Sequence, residues 1–228
     1  MSKKIYIDAG HGGDSFGATY KGRKEQDDCL KLALAVGKLV QAQGVEVKYS
    51  RTTDVNPDLT GRCKEANSWG ADYFISIHRN AYTQEQAKGV EAWVYSKCSV
   101  GGSTYNKAVV IVDDVCAATG FFNRGVKRGA PSYTDFAVNS VTNMDSCLLE
   151  CGFISTAADN KIFDDKFNAL AKAIAVGLCE AVGVAYQDKP STGKHYSVQV
   201  GYFAVYENAV AQKKLLNDAG FDAIIKEV

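Results

Sequence analysis

Tyr73-Phe74-Ile75-Ser76-Ile77-His78 is an aromatic and β-branched run that stops on an imidazole. Such a composition favours a buried strand. Working outward from it, residues 59–69 carry a helical pattern closed by Gly70, a residue type that ends helices. Residues 4–8 predict an earlier strand, ended by the Gly-His-Gly-Gly turn at 10–13, and the polar stretch 14–24 reads as a loop. From Glu25 the pattern turns helical: Cys29, Leu32, Ala33, Val36 and Val40 share one face, and Gly44 stops the helix. Residues 45–49 follow as a strand. Downstream, the sequence predicts a strand at 89–95 and a helix at 104–119, with Ala108, Val109, Val112, Val115 and Cys116 on one side. A loop-rich stretch at 121–143 and a strand at 144–150 come next. A helix then presents Phe167, Leu170, Ala171, Ile174 and Leu178. Strands alternating with helices predict an α/β fold with helices on both faces of the sheet.

The chain has 228 residues, enough for one good-sized core, and 46% of them are hydrophobic. Lys+Arg and Asp+Glu both number 26. This balance speaks against a nucleic-acid-binding surface, which is ordinarily basic. No apolar run of about 18 residues occurs, so no membrane insertion is expected. The N-terminus reaches Asp8, His11 and Asp14 before an apolar leader segment could form, which predicts synthesis in a cytoplasm without a signal peptide. The seven cysteines are scattered without a CxxC pair. They are expected to be small buried hydrophobes rather than a disulfide framework. Cys147 and Cys151 flank Glu150, which leaves a thiol nucleophile as the alternative there.

Three separate segments bring chemically capable groups to strand ends. His11 follows the first strand, His78 ends the third, and Glu150 ends the strand at 144–150. In open α/β sheets the functional crevice lies at the carboxyl ends of the strands. Glu25 opens the first helix, where a carboxylate gains from the helix N-terminus. Two imidazoles and a carboxylate are a catalytic ligand set that leaves one position open. A further carboxylate, Glu150, is then suited to take the proton of a water and pass it on. Each residue also has a plainer role as a hydrogen-bonding, capping or ion-paired group. The residues alone leave both readings standing and do not choose zinc over another divalent ion.

The strings also resemble a known family, the N-acetylmuramoyl-L-alanine amidases of type 3. Ile7-Asp-Ala-Gly-His-Gly-Gly-Asp14 with Gly17-Ala18, then Glu25-Gln-Asp27, is similar to its opening motif. Residues 47–52 with Asp54, Leu59-Thr-Gly-Arg62 and Ala66-Asn67 resemble the next block. Ala71-Asp-Tyr-Phe-Ile-Ser-Ile-His-Arg-Asn-Ala81, Gly89-Val-Glu91 and Leu148-Leu-Glu-Cys-Gly-Phe-Ile154 resemble the others. The resemblance spans residues 3–183. It implies a mixed, largely parallel sheet of about six strands. It also implies one zinc ion held by His11, Glu25 and His78, with Glu150 as catalytic carboxylate. The implied reaction is hydrolysis of the amide between the lactyl group of N-acetylmuramic acid and L-alanine in peptidoglycan. Arg79 departs from the family, where a small residue or Cys is common. It is expected to be a surface variation, with a substrate carboxylate or glycan contact as the alternative.

Residues 187–194 read as a linker between a catalytic domain at 1–186 and a small βαβ unit at 195–228. In that tail Tyr196, Val198 and Val200 alternate as a strand, 207–219 is helical and 223–225 is a final strand. The tail is similar to half of a SPOR repeat, which implies peptidoglycan binding. With three Lys and four acidic residues from 195 onward it is no electrostatic anchor. A piece this small needs a partner to bury a core, and two tails pairing in a homodimer would supply one. A lytic enzyme of the phage endolysin kind, acting on the wall after release, is the expected setting. A bacterial autolysin or sporulation amidase is the alternative, and a catalytically silent peptidoglycan-binding protein is the rival from another class.

Overall fold

The computed structural model describes residues 2–83, 86–131, 134–188, 200–218 and 223–227. The chain divides into two compact units, Met1–Gln187 and Asp188–Val228. In the first unit the strands are β1 (Lys4–Ala9), β2 (Thr19–Tyr20), β3 (Arg23–Lys24), β4 (Glu46–Tyr49), β5 (Tyr73–Asn80), β6 (Val90–Val94), β7 (Asn123–Arg128) and β8 (Asp145–Phe153). Its helices are α1 (Glu25–Gln41), α2 (Leu59–Trp69), α3 (Ser103–Thr119), α4 (Ala137–Ser140), α5 (Ala157–Asp165) and α6 (Phe167–Ala181).

Six strands form one sheet in the order β4-β1-β5-β8-β6-β7. All neighbours run parallel except β6 and β8, which are antiparallel. Strand alternation divides the core in two. Ile5, Ile7, Tyr73, Ile75, Ile77 and Leu149 point into a large cluster completed by α1, α3 and α6. Tyr6, Phe74 and Leu148 point the other way, against Cys63 and Ala66 of α2 and Val138 of α4. The expected α/β class, with a largely parallel six-stranded sheet and helices on both faces, is what the chain forms.

Local chemistry sets the helix ends that matter here. α2 starts where the Asp58 side chain accepts the Gly61 N–H, and it stops at Gly70 in a left-handed conformation (φ 71). Behind the sheet edge Asp8, fully buried, accepts Arg62 Nη1 at 2.8 Å and the Ser76 hydroxyl at 2.6 Å. Removing one partner from a buried ion pair leaves a desolvated charge. Arg62→Ala is therefore expected to lower the unfolding free energy by about 3–5 kcal/mol, read from urea denaturation.

The structure corrects several expectations. β7 and α4 lie inside the stretch expected to be loop, and β2 and β3 form a small antiparallel hairpin inside the expected loop at 14–24. β7, with the sequence Asn-Arg-Gly-Val-Lys-Arg, is a polar edge strand held by β6 alone, so it carries no apolar alternation. α5 was not legible because only Ile162 and Phe163 among its nine residues are large and apolar. In the second unit the expected helix is present as α7 (Tyr206–Asp218). Tyr196 and Val198 lie outside the described residues, and Val200 and residues 223–225 are in no strand, so no βαβ unit is formed among the described residues.

Candidate active site

The parallel register of β5 and β8 places His78 opposite Glu150, at the carboxyl ends of both strands. On the far side of β8, Glu91 of β6 is also opposite Glu150. His11 lies two residues past β1, in a turn closed by reciprocal Gly12 and Ser15 backbone bonds of 2.9 Å. His11 itself sits at φ 60, a left-handed conformation uncommon outside glycine and often found where function holds a residue in place. Glu25 is the first residue of α1, so its carboxylate projects into the gap between the two histidines.

These placements bring His11, Glu25 and His78 together. One nitrogen or oxygen from each lies within 4.8 Å of the others, a spacing that can hold a metal ion. Glu25 Oε2 is 3.2 Å from His11 Nε2, and Oε1 is 2.9 Å from His78 Nδ1. The carboxylate is held from behind as well. Ala18 N–H donates to Oε2 at 2.8 Å and Arg79 N–H donates to Oε1 at 3.0 Å. The other His11 nitrogen, Nδ1, is 3.2 Å from the Ser15 hydroxyl, the kind of outer contact that orients a ligating imidazole.

Charge follows from this packing. Burial alone would raise the Glu25 carboxyl, but hydrogen bonds from His11 and His78 outweigh it and hold it far below the usual range. Burial pulls the His78 imidazole down, yet Glu25, and then Glu150 and Asp8, raise its pKa to about 9. Glu150 is pushed up to about 8, first by burial, against the pull of His78 and with the help of Glu25 and Glu91. Its Oε2 is shut off from solvent and has no hydrogen-bond partner among the described residues. A buried, unpartnered carboxylate oxygen costs stability. Glu150 stands opposite His78 and lines the same cavity, and a titratable group so perturbed in a cavity is a candidate functional group.

A cavity of about 390 Å³ opens over these groups. His11, Glu25, His78 and Glu150 line it together with the apolar Leu59, Phe136, Val138 and Leu148. Glycine at two positions makes the close packing of the site feasible. A Cβ on Gly10 would lie 2.5 Å from the His78 ring, and one on Gly17 (φ 66) would lie 2.5 Å from Glu25 Oε2. Gly10→Ala is expected to fold, displace the His78 ring and weaken metal binding about tenfold or more. Competition with a chromophoric chelator measures the change.

Sequence reading missed the supports of this site. Arg51 is buried and spends its guanidinium on carbonyls. Nε reaches Ala9 O at 3.0 Å, and Nη2 reaches Gly10 O at 2.8 Å and Gln26 O at 2.7 Å. It thereby ties the His11 turn to the start of α1. Its signals were its position just past β4 and its place in the block at 47–52, neither of which shows the carbonyl contacts. Glu91 is 2% exposed and accepts from Asn80, Trp93, Arg124 and Lys127. The expected surface position of Arg79 is wrong: the side chain is 1% exposed and hydrogen-bonded to Gly152, Asp28 and Asn160. The thiol alternative also loses support, since Cys147 and Cys151 are wholly buried and burial pushes the Cys147 thiol up to about 12.

Residues 5–180 match a family model described as N-acetylmuramoyl-L-alanine amidase. The chain is 36% identical over 226 residues to the sporulation-specific N-acetylmuramoyl-L-alanine amidase of Bacillus subtilis (strain 168), covering 97% of this chain and 84% of that protein. It is 32% identical over 241 residues to an endolysin of Bacillus phage SPP1, covering 97% and 88%. Among solved structures it is similar to N-acetylmuramoyl-L-alanine amidase from Clostridium difficile 630, with a TM-score of 0.71 and 30% identity over 78% of this chain and 96% of that one.

Proposed function

Because the chain belongs to the N-acetylmuramoyl-L-alanine amidase family, we propose that it cuts the lactyl–L-alanine amide of peptidoglycan with one zinc ion held by His11, Glu25 and His78. The observation that carries this reading is the donor set: two imidazole nitrogens and a carboxylate oxygen within 4.8 Å of one another, near Glu150, whose Oε2 is buried and without a partner. Two histidines and a glutamate are a known catalytic zinc set, and the fixed, closely packed cradle suits one small ion. Held there, a zinc ion would supply polarisation of the scissile carbonyl and a more acidic attacking water. A cation bound beside Glu150 would favour its ionised form, which takes the proton of that water as the water oxygen joins the carbonyl carbon. The same carboxyl then gives the proton to the alanine nitrogen as the C–N bond breaks. The products are a lactyl carboxylate on the glycan and a free L-alanine amine on the stem peptide.

The mass spectrum of digested peptidoglycan tests the bond. Stem peptides with new L-alanine N-termini and intact glycan strands are expected. Cleaved glycosidic bonds or cut stem peptides would overturn the assignment.

The lytic setting we favour is that of the phage endolysin relative, and the sporulation-specific relative supplies the second reading. Both match 97% of this chain, which takes in residues beyond 187. We further propose that the segment at 195–228 binds peptidoglycan and pairs with a second copy of itself. None of its described residues is buried, and Tyr202, Tyr206, Leu215 and Ile224 are 64–83% exposed. Ending the chain at residue 186 is expected to weaken sedimentation with cell walls and, by light scattering, to convert a dimer to a monomer. An unchanged mass removes the pairing.

A further inference from the structure

Arg79 combines two features that the reaction above does not use. It is a buried cation directly after a proposed ligand, and it sits where the β5·β8 register shifts, between His78 and Asn80. An irregularity in the ladder leaves backbone without regular partners and re-aims the chain around it. Here the side chain fills that gap. Nε donates to Gly152 O at 3.3 Å, on the facing strand two residues past Glu150. Nη1 donates to Asp28 Oδ2 at 2.5 Å and Nη2 to Asn160 Oδ1 at 2.7 Å. The guanidinium lies 4.2 Å from the centroid of the Phe163 ring.

Asp28 stands one turn after Glu25 on α1, and the Arg79 N–H is one of the two amides that hold the Glu25 carboxylate. A single residue thus grips α1 twice, through its side chain at Asp28 and through its amide at Glu25. Arg23 donates to the same Asp28 oxygen at 2.7 Å and pairs with Asp164, so the carboxylate is fixed from both sides. A planar fork reaching three acceptors in different directions is a task for arginine; a lysine ammonium at the same place has neither the reach nor the geometry.

We propose that Arg79 is a positioning residue for the metal centre: its side chain pins the irregular end of β5 so that its own amide holds Glu25 in register with His78 and Glu150. The inference rests on the reading that His11, Glu25 and His78 hold zinc. A residue that only stabilised the fold would change the melting temperature and leave the site's local order and metal affinity alone.

Two measurements on Arg79→Met, Arg79→Lys and Asp28→Asn test it, each in the full chain. The first needs no metal: amide hydrogen exchange by NMR on chelator-treated protein. The Ala18 N–H, which also donates to Glu25, is expected to exchange about tenfold faster in Arg79→Met, while the Ile75 and Ile77 amides of the same sheet keep their protection. The second is zinc affinity by chelator competition, expected to fall about 10- to 100-fold in Arg79→Met and less in Arg79→Lys. Ala18 exchange that is unchanged, or that rises only together with Ile75 and Ile77, overturns the proposal. So does zinc affinity within twofold of the parent. If Arg79→Met does not fold, the same readings on Arg79→Lys and Asp28→Asn decide it in the same way. A parent protein that takes up no zinc while Ala18 responds as expected would instead overturn the metal assignment, and with it the metal-centre role given to Arg79.

Discussion

Glu150→Gln is expected to lower kcat about a thousandfold or more, while one zinc per chain stays bound and the melting temperature does not fall. The side chain keeps its shape but can no longer take a proton. None of the three metal-facing atoms changes, so metal content by elemental analysis should match the parent. Stability should move the opposite way from activity. Glu150 Oε2 is buried and unpartnered, and burial, with Glu25 and Glu91 adding to it against His78, raises the pKa to about 8. An unfolded glutamate ionises near its ordinary value, well below that. Between the two values the unfolded chain has released its proton and the folded chain has kept it. The folded state therefore loses stability as pH rises through this window, and above about 8 the penalty is complete. A neutral glutamine carries no such penalty. In chelator-treated protein, the melting temperature of Glu150→Gln relative to the parent should thus rise from pH 5 to pH 9. A gap that narrows instead, or a variant with parental turnover, would show that Glu150 is a structural acid and not the proton carrier.

Much of this site could be read from the chain because its parts are local. His78 ends an apolar run, His11 follows one, and Glu25 begins a helical pattern, so each position is set by a few neighbouring residues. The α/β topology then brings strand ends to one edge. Arg79 was misread because nothing local marks it as buried. Its partners come from α1, β8 and α5, and its place depends on a register shift that only pairing reveals. The sixth strand failed for a related reason. Asn123–Arg128 carries four polar residues in six and pairs on one side only, so hydrophobic alternation has nothing to record. Family resemblance implied a sheet of about six strands, whereas periodicity found five of them. The carbonyl contacts of Arg51 were equally silent, since backbone acceptors leave no trace in side-chain patterns.

His78→Ala should lose the metal, and in the parent the grip on zinc should tighten steeply with pH. The substitution leaves two donors where a catalytic zinc set has three, so the ion is held by His11 and Glu25 alone. It also removes the ring that packs over Gly10 and one of the two imidazoles that hold the Glu25 carboxylate in its charged form. Zinc content after gel filtration should fall from one per chain toward zero, and turnover should fall with it. Full occupancy would reject the ligand assignment. The same contact sets the pH dependence in the parent. Because Glu25 raises His78 to about 9, this imidazole carries a proton at neutral pH, and the incoming cation has to displace it. Below that value, loss of one proton on binding predicts an apparent affinity that rises about tenfold per pH unit and levels off above it. Chelator competition at pH 6, 7 and 8 gives the slope. A flat profile would mean that His78 binds no proton that zinc must replace.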